Sequence, residues 1–194
     1  MPFPESGPRK PIHLRQIYMR GYERPDGLFE VEGRVSDIKD DPFTPDATVN
    51  EIPPGEFVHD MWIRLVVDAD LLIHDIIAVT DSSPYRQCPE AAGTLARLKG
   101  ERIAAGWSVA VKRALRGAQG CTHLMELLIP LATAAYQTTT VRRFAKGVKN
   151  DSSGKPIKID TCYAMGSDRE QVMLRWPKYY TGPLLPAGSA SEKT

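Results

Sequence analysis

A chain of 194 residues with 42% hydrophobic and 25% charged residues has an ordinary globular composition, enough for one sizeable domain with small extensions. Its 25 Lys and Arg against 24 Asp and Glu leave a net charge of +1, which excludes a strongly basic nucleic-acid binder and an acidic tail protein. Three cysteines, Cys88, Cys121 and Cys162, cannot all pair within one chain and are too few for a disulfide scaffold, so free thiols in a reducing compartment are expected, either buried or bound to metal.

Residues 1–11 hold four prolines and read as a flexible arm without the apolar core of a signal peptide. Ile12 to Arg20 is a strand candidate whose alternation slips near Arg15-Gln16. Pro25-Asp26-Gly27 is a turn, since Pro presets φ and Gly accepts positive φ. Phe29, Val31, Gly33 and Val35 then alternate with Glu30, Glu32, Arg34 and Ser36, the period of a half-buried strand. The proline-rich stretch from Asp40 to Glu56 reads as a loop. Met61, Ile63, Leu65 and Val67 restart the period-two pattern, and Leu71 to Thr80 is a β-branched strand after the Asp68-Ala69-Asp70 turn. Four strands in an antiparallel meander are expected.

The second half changes period. Ala91, Leu95 and Leu98 fit a helix that stops at Gly100, and Trp107 to Leu115 a second, amphipathic helix. A third runs from Thr122 to Gln137, with Leu124, Leu127, Leu128, Leu131 and Ala135 as its buried stripe and Pro130 removing one backbone bond. Strands followed by helices predict an α+β fold, a four-stranded sheet with about three helices on one face and a small C-terminal extension. Residues 12–138 make the core domain. Residues 139–182 hold a basic linker, read as a solvated stretch in preference to an anion site, and a small hairpin from Ile157 to Ala164 and Gln171 to Trp176. Residues 183–194 read as a disordered tail. The longest apolar run, Leu124 to Ala135, is interrupted by Glu126 and Pro130 and is shorter than the roughly 20 residues of a membrane span. A soluble, cytoplasmic protein is expected.

There is no phosphate loop, nucleophile elbow or His-Glu-x-x-His helix. The chemistry-bearing residues cluster at element ends: His59-Asp60 opens the third strand, Cys88 the first helix, and Cys121-Thr122-His123 the third. Helix N-termini favour thiolate, the form that binds metal or attacks a substrate. A mixed S/N/O set suits zinc or iron better than magnesium or calcium. The bland alternatives remain open: a free Cys is also a small buried hydrophobe, His123 a satisfied core histidine, and Asp60 a partner for an arginine such as Arg64. His13 and His74 are read as structural.

Two resemblances add to this. Ile52-Pro53-Pro54-Gly55-Glu56-Phe57-Val58-His59-Asp60-Met61-Trp62, Gly120-Cys121-Thr122-His123-Leu124 and Asp160-Thr161-Cys162 resemble an uncharacterised bacterial family of unknown function, associated with degraders of aromatic or steroid compounds. Residues 58–135 are similar to the scaffold domain of NifU-type iron–sulfur assembly proteins. Val58-His59-Asp60 stands at that family's Cys-Gly-Asp, Val67-Asp68-Ala69-Asp70 and Ile73-His74-Asp75 at its hairpin, Cys88 at its helical ligand, Lys99-Gly100-Glu101 at its Lys-Gly-Lys, and Cys121 at its last ligand. This likeness places Asp60, Cys88 and Cys121 at metal positions. Val58 replaces the first cysteine ligand, and His59 and His123 are our candidates for the lost donors. Cys162 and Asp160 are further candidates.

The leading expectation is a small metal-binding protein that holds zinc or iron, a metalloenzyme acting on a small organic acid or aromatic carbonyl compound, with Trp62, Tyr85 and Trp107 as pocket walls or core. The alternative is a non-catalytic metal or iron–sulfur carrier, or an accessory subunit of a larger enzyme; in a third reading the cysteines are only core. A small-molecule ligand or a larger enzyme is the expected partner, nucleic acid and membrane are not, and a homodimer is compatible.

Overall fold

The computed structural model describes residues 7–47, 49–147 and 149–183. Much of the proline-rich arm and the tail after residue 183 fall outside them. The order is β1 (His13–Glu23), β2 (Phe29–Lys39), β3 (Phe57–Val67), β4 (Ile73–Ser82), a 3-10 segment (Cys88–Leu98), α1 (Trp107–Leu115), α2 (Thr122–Thr138), α3 (Thr140–Ala145) and α4 (Glu170–Arg175). The four strands form one antiparallel sheet in the order β1-β2-β3-β4, so the fold is the expected α+β meander.

Strand period two sorts the side chains into two faces. The register pairs Val35 with Met61, Gly33 with Ile63, Val31 with Leu65 and Phe29 with Val67; seven of these eight residues are the apolar, buried side chains of the core and Gly33 lies among them. Helix α2 covers this face with Leu124, Leu127, Leu128 and Leu131, all buried. Trp107 of α1 packs into the same core and donates its indole N–H to the Leu128 carbonyl, 3.1 Å away. Pro130 sits inside a continuous α2.

Two glycines let α2 lie close to the sheet. A Cβ on Gly33 would come 3.0 Å from Leu131 Cδ1 and 3.5 Å from Leu127 Cδ1. A Cβ on Gly21 of β1 would collide with the Thr138 side chain, whose hydroxyl is bonded to the Ala134 carbonyl. The helix therefore crosses the sheet with its C-terminal end on β1.

The opposite sheet face is polar and aromatic. Asp60 there takes a two-pronged bond from Arg34, at 2.7 and 2.6 Å, and the guanidinium lies 5.2 Å from the centres of both the Phe57 and Trp62 rings.

Two elements differ from expectation. The helix expected to open at Cys88 does begin there but is 3-10; its buried Leu95 and Leu98 are three apart, one turn of that helix. The C-terminal hairpin is absent: residues 163–165 form a 3-10 turn and Glu170–Arg175 an α-helix. Asp160, at φ 66°, accepts the Ser167 N–H at 2.8 Å and so turns the first expected strand back, while Gln171, Met173, Leu174 and Arg175 are good helix formers. The chain divides into two compact units, one through Arg143 and one from Phe144, the second built around Ile159 and Val172.

Gly21→Ala is expected to destabilise the protein by about 1–3 kcal/mol, because Thr138 is tied to its own helix and cannot step aside. Gly33→Ala should cost less, since its tightest contact is the tip of Leu131 and Leu127 lies at ordinary contact distance. Urea denaturation of the two variants checks the ranking.

Candidate metal centre

The period-two pattern of the core continues past its apolar part. On β2 the position after Val35 on the covered face is Asp37, and on β3 the position before Met61 is His59; the register sets them opposite each other. Arg15 of β1 is the cross-strand partner of Asp37 on the other side. His123 lies one helical turn before Leu127 on α2, so the same helical face that packs on the sheet carries the imidazole to this end.

Asp37 is the centre of the group. It is 2% exposed. Its Oδ1 accepts from Arg15 Nε and His13 Nε2, each at 2.8 Å, and its Oδ2 from Arg15 Nη2 at 2.8 Å and His59 Nδ1 at 3.0 Å. Arg15 reaches further, with Nη1 3.3 Å from Glu126 Oε2 on α2. The His59 and His123 rings stack with centroids 3.8 Å apart and planes tilted by 34°. Cys121, the N-cap residue of α2, places Sγ 3.9 Å from His123 Nδ1 and 4.0 Å from Met61 Sδ. Donor atoms of Asp37, His59 and His123 all lie within 4.8 Å of one another.

The electrostatics follow from this packing. Burial alone would raise the Asp37 carboxyl; the hydrogen bonds from Arg15 and His13, with the charges of Arg15 and His59, override it and hold the group well below the usual carboxylate range. An ionised carboxylate only accepts, so His13 bears its proton on Nε2 and His59 on Nδ1, which leaves His59 Nε2 with a free lone pair. Burial, then the neighbouring His123, push His59 below its ordinary value against the pull of Asp37. Burial and the Arg15 charge do the same to His123. Both imidazoles are thus neutral near pH 7, the state that ligates a metal.

Of the residues expected at a metal site, the structure gathers His59, His123 and Cys121. Asp60 is the immediate neighbour of His59 but faces the opposite side of the sheet, paired with Arg34 and not with Arg64, which bonds Glu32 at 2.7 Å. Cys88, half-buried, opens the 3-10 segment and is not part of the donor group. Cys162 is exposed in the second unit, where Asp160 bonds Lys155 Nζ at 2.8 Å. The pocket-wall candidates part company as well: Trp107 is core, Trp62 lies beside Arg34 on the other face, and Tyr85 is exposed. Asp37, Arg15 and the role of His13 were not anticipated. Strand parity is the signal that reaches Asp37, since it is the next covered position after Phe29, Val31, Gly33 and Val35.

Fold and site together define an open-faced α+β domain with a histidine–carboxylate cluster under its longest helix. The profile of a family described as a protein of unknown function, DUF2889, matches residues 13–137, from the first strand to the end of α2, and the chain belongs to that family. No curated protein and no solved structure matches the chain, so the likeness to the NifU-type scaffold has no support from a relative. No helix among the described residues is long and apolar enough to cross a membrane.

The depressed Asp37 contributes stability that is complete above about pH 4 and is lost as pH falls through its folded value; depressed His59 and His123 add a loss that starts as pH drops below about 6.5. Asp37→Asn is expected to cost about 2–3 kcal/mol at pH 7, less than a fully buried pair because the Arg15 and His13 side chains are each 36% exposed. The deficit should shrink towards pH 2, a course that urea denaturation across a pH series follows. Equal stability of the two proteins at pH 7 would contradict the role given to Asp37.

Proposed function

We propose that this protein binds a transition-metal ion through His59 and His123, with Cys121 as a third donor, and that Asp37 holds His59 in place from outside the coordination shell. The observation that carries this reading is the saturation of Asp37. Two oxygens offer about four acceptor sites, and four N–H bonds from Arg15, His13 and His59 use them. A carboxylate that orients an imidazole through its other nitrogen is the usual companion of a histidine ligand. Imidazole nitrogens and a cysteine sulfur favour zinc or iron over magnesium or calcium.

Three protein donors leave a fourth position for water or substrate, the arrangement of a catalytic and not a structural zinc site. An ion there would polarise a carbonyl or activate water, chemistry that suits a small organic acid or aromatic carbonyl compound. The non-catalytic alternative, a metal carrier or accessory subunit, is separated from it by exchange: a carrier gives up its ion to a competing apo-protein, whereas a catalytic ion stays and its water titrates.

Metal content by mass spectrometry on untagged protein purified without oxygen tests the site. About one equivalent of zinc or iron is expected in the wild type, with most of it lost in His59→Ala and in His123→Ala and none lost in Cys88→Ser. Wild-type protein that stays metal-free after incubation with zinc and with ferrous iron would overturn the proposal, and so would a loss confined to Cys88→Ser.

A further inference from the structure

The free edge of β1 carries a second message that does not depend on a bound ion. Among the described residues β1 pairs with β2 alone, so along its other side alternate backbone N–H and C=O groups point away from the sheet. Every β1 residue except Met19 is exposed. The far edge of the sheet is treated differently at its start: Ile73, the first residue of β4, has its N–H bonded to the Glu101 carbonyl and its carbonyl bonded to the Gly100 N–H, each at 2.9 Å.

Natural edge strands are blunted with proline, lysine or a bulge. β1 has no proline, lysine or bulge, and its charges are already engaged within the chain: Arg15 by Asp37, Arg20 over the Tyr22 ring and Glu23 by Arg142. Its ladder with β2 runs without a register shift from His13↔Lys39 to Glu23↔Phe29. It presents Leu14, Ile17, Tyr18 and Tyr22, each at least 40% exposed.

The order of residues along β1 is self-complementary about Tyr18. An antiparallel pair of β1 strands with a two-fold axis at Tyr18 sets Leu14 opposite Tyr22, Ile17 opposite Met19, Gln16 opposite Arg20 and His13 opposite Glu23. Apolar meets apolar and polar meets polar; at the ends His13, which is bonded to Asp37, comes beside Glu23, which is paired with Arg142. Arg15 faces Gly21, which leaves its bonds to Asp37 uncrowded. The register also keeps odd residues on the helix-covered side and even residues on the other, so the two sheets join without a flip. Moving the axis one residue to Ile17 sets Leu14 against Arg20, and moving it to Met19 sets Tyr18 against Arg20 and Tyr22 against Gln16.

We propose that β1 is a homodimerisation edge, on which a second copy of this chain pairs antiparallel about Tyr18 to make one continuous sheet. A self-complementary strand matches its own copy at its apolar positions and an unrelated strand only by accident, and the contact is closed by its own symmetry. Cross-strand pairs of this kind are the unit by which sheets gain stability, and like charges directly opposite each other remove it. His13 and Arg15 hold Asp37 from the same strand, so the dimer contact borders the histidine cluster and brings Glu23 of the second copy beside His13.

Sedimentation of the full chain across the micromolar range, beside a cysteine cross-linking series, tests this. The wild type is expected at twice the chain mass. Tyr18→Lys, which sets lysine against lysine on the axis, should associate about tenfold more weakly or not at all, with circular dichroism and metal content unchanged. In a Cys162→Ser background, Tyr18→Cys should form a covalent dimer under mild oxidation, because facing strand residues lie within disulfide reach, and Tyr22→Cys should not, because it faces Leu14. A monomeric wild type overturns the proposal. So does a dimer that Tyr18→Lys leaves intact, or one in which Tyr22→Cys links as readily as Tyr18→Cys. Should Tyr18→Lys fail to fold, the cysteine pair decides alone. Metal content and dimerisation are read separately, so failure of one leaves the other standing.

Discussion

The structure turns on one buried carboxylate. Asp37 takes bonds from Arg15 and His13 of β1 and from His59 of β3, and Arg15 passes the connection to Glu126 of α2. Three strands and the main helix are therefore joined at a single charge. A carboxylate so buried would be costly alone; with its acceptor sites filled it becomes a fixed point from which the imidazole positions follow. Remove the charge and the two arms that reach it from β1 have nothing to hold.

This junction also explains why the histidine pair is chemically poised. The His59 and His123 ring centres lie 3.8 Å apart, and each ring is desolvated by burial. Two protonated imidazoles that close would repel, so the neutral pair is favoured, with lone pairs and not charges on offer. Asp37 sets which nitrogen of His59 keeps its proton, and the N-cap position of Cys121 brings a sulfur to 3.9 Å from His123 Nδ1. His59 comes from β3 and Cys121 and His123 from the start of α2, elements held by a common core, so their relative placement does not depend on loops.

Much of this was legible in the residues, and the parts that were not have physical reasons. The strand alternation from Phe29 to Val35 and from Met61 to Val67 names the covered face of the sheet, and carried one step further it finds Asp37 and His59. The same parity sends Asp60 to the opposite face, although its place beside His59 suggests a shared site; neighbours in a strand point apart. β1 hid its partners because an edge strand that is largely exposed has little need to alternate, and so His13 reads as a structural residue without a partner and Arg15 only as a slip in the pattern. The helical stripe of α2 announces itself through Leu124 to Ala135, and with it the place of His123. The second unit was misread because its segments are short. There a single Asp160 in the left-handed region, with its bond to Ser167, outweighs the strand preference of Ile157 and Ile159.

An edge strand is ordinarily the first part of a sheet to fray, since half of its backbone bonds are missing. Here fraying has a charge attached. If β1 peels away, Asp37 loses three of its four donors and is left inside the protein with His59 alone. The exchange of β1 amide protons with solvent is then a gauge of the cluster beneath, because each opening must uncover a carboxylate as well as break a ladder. The most exposed strand of the fold is also the latch over its most buried charge.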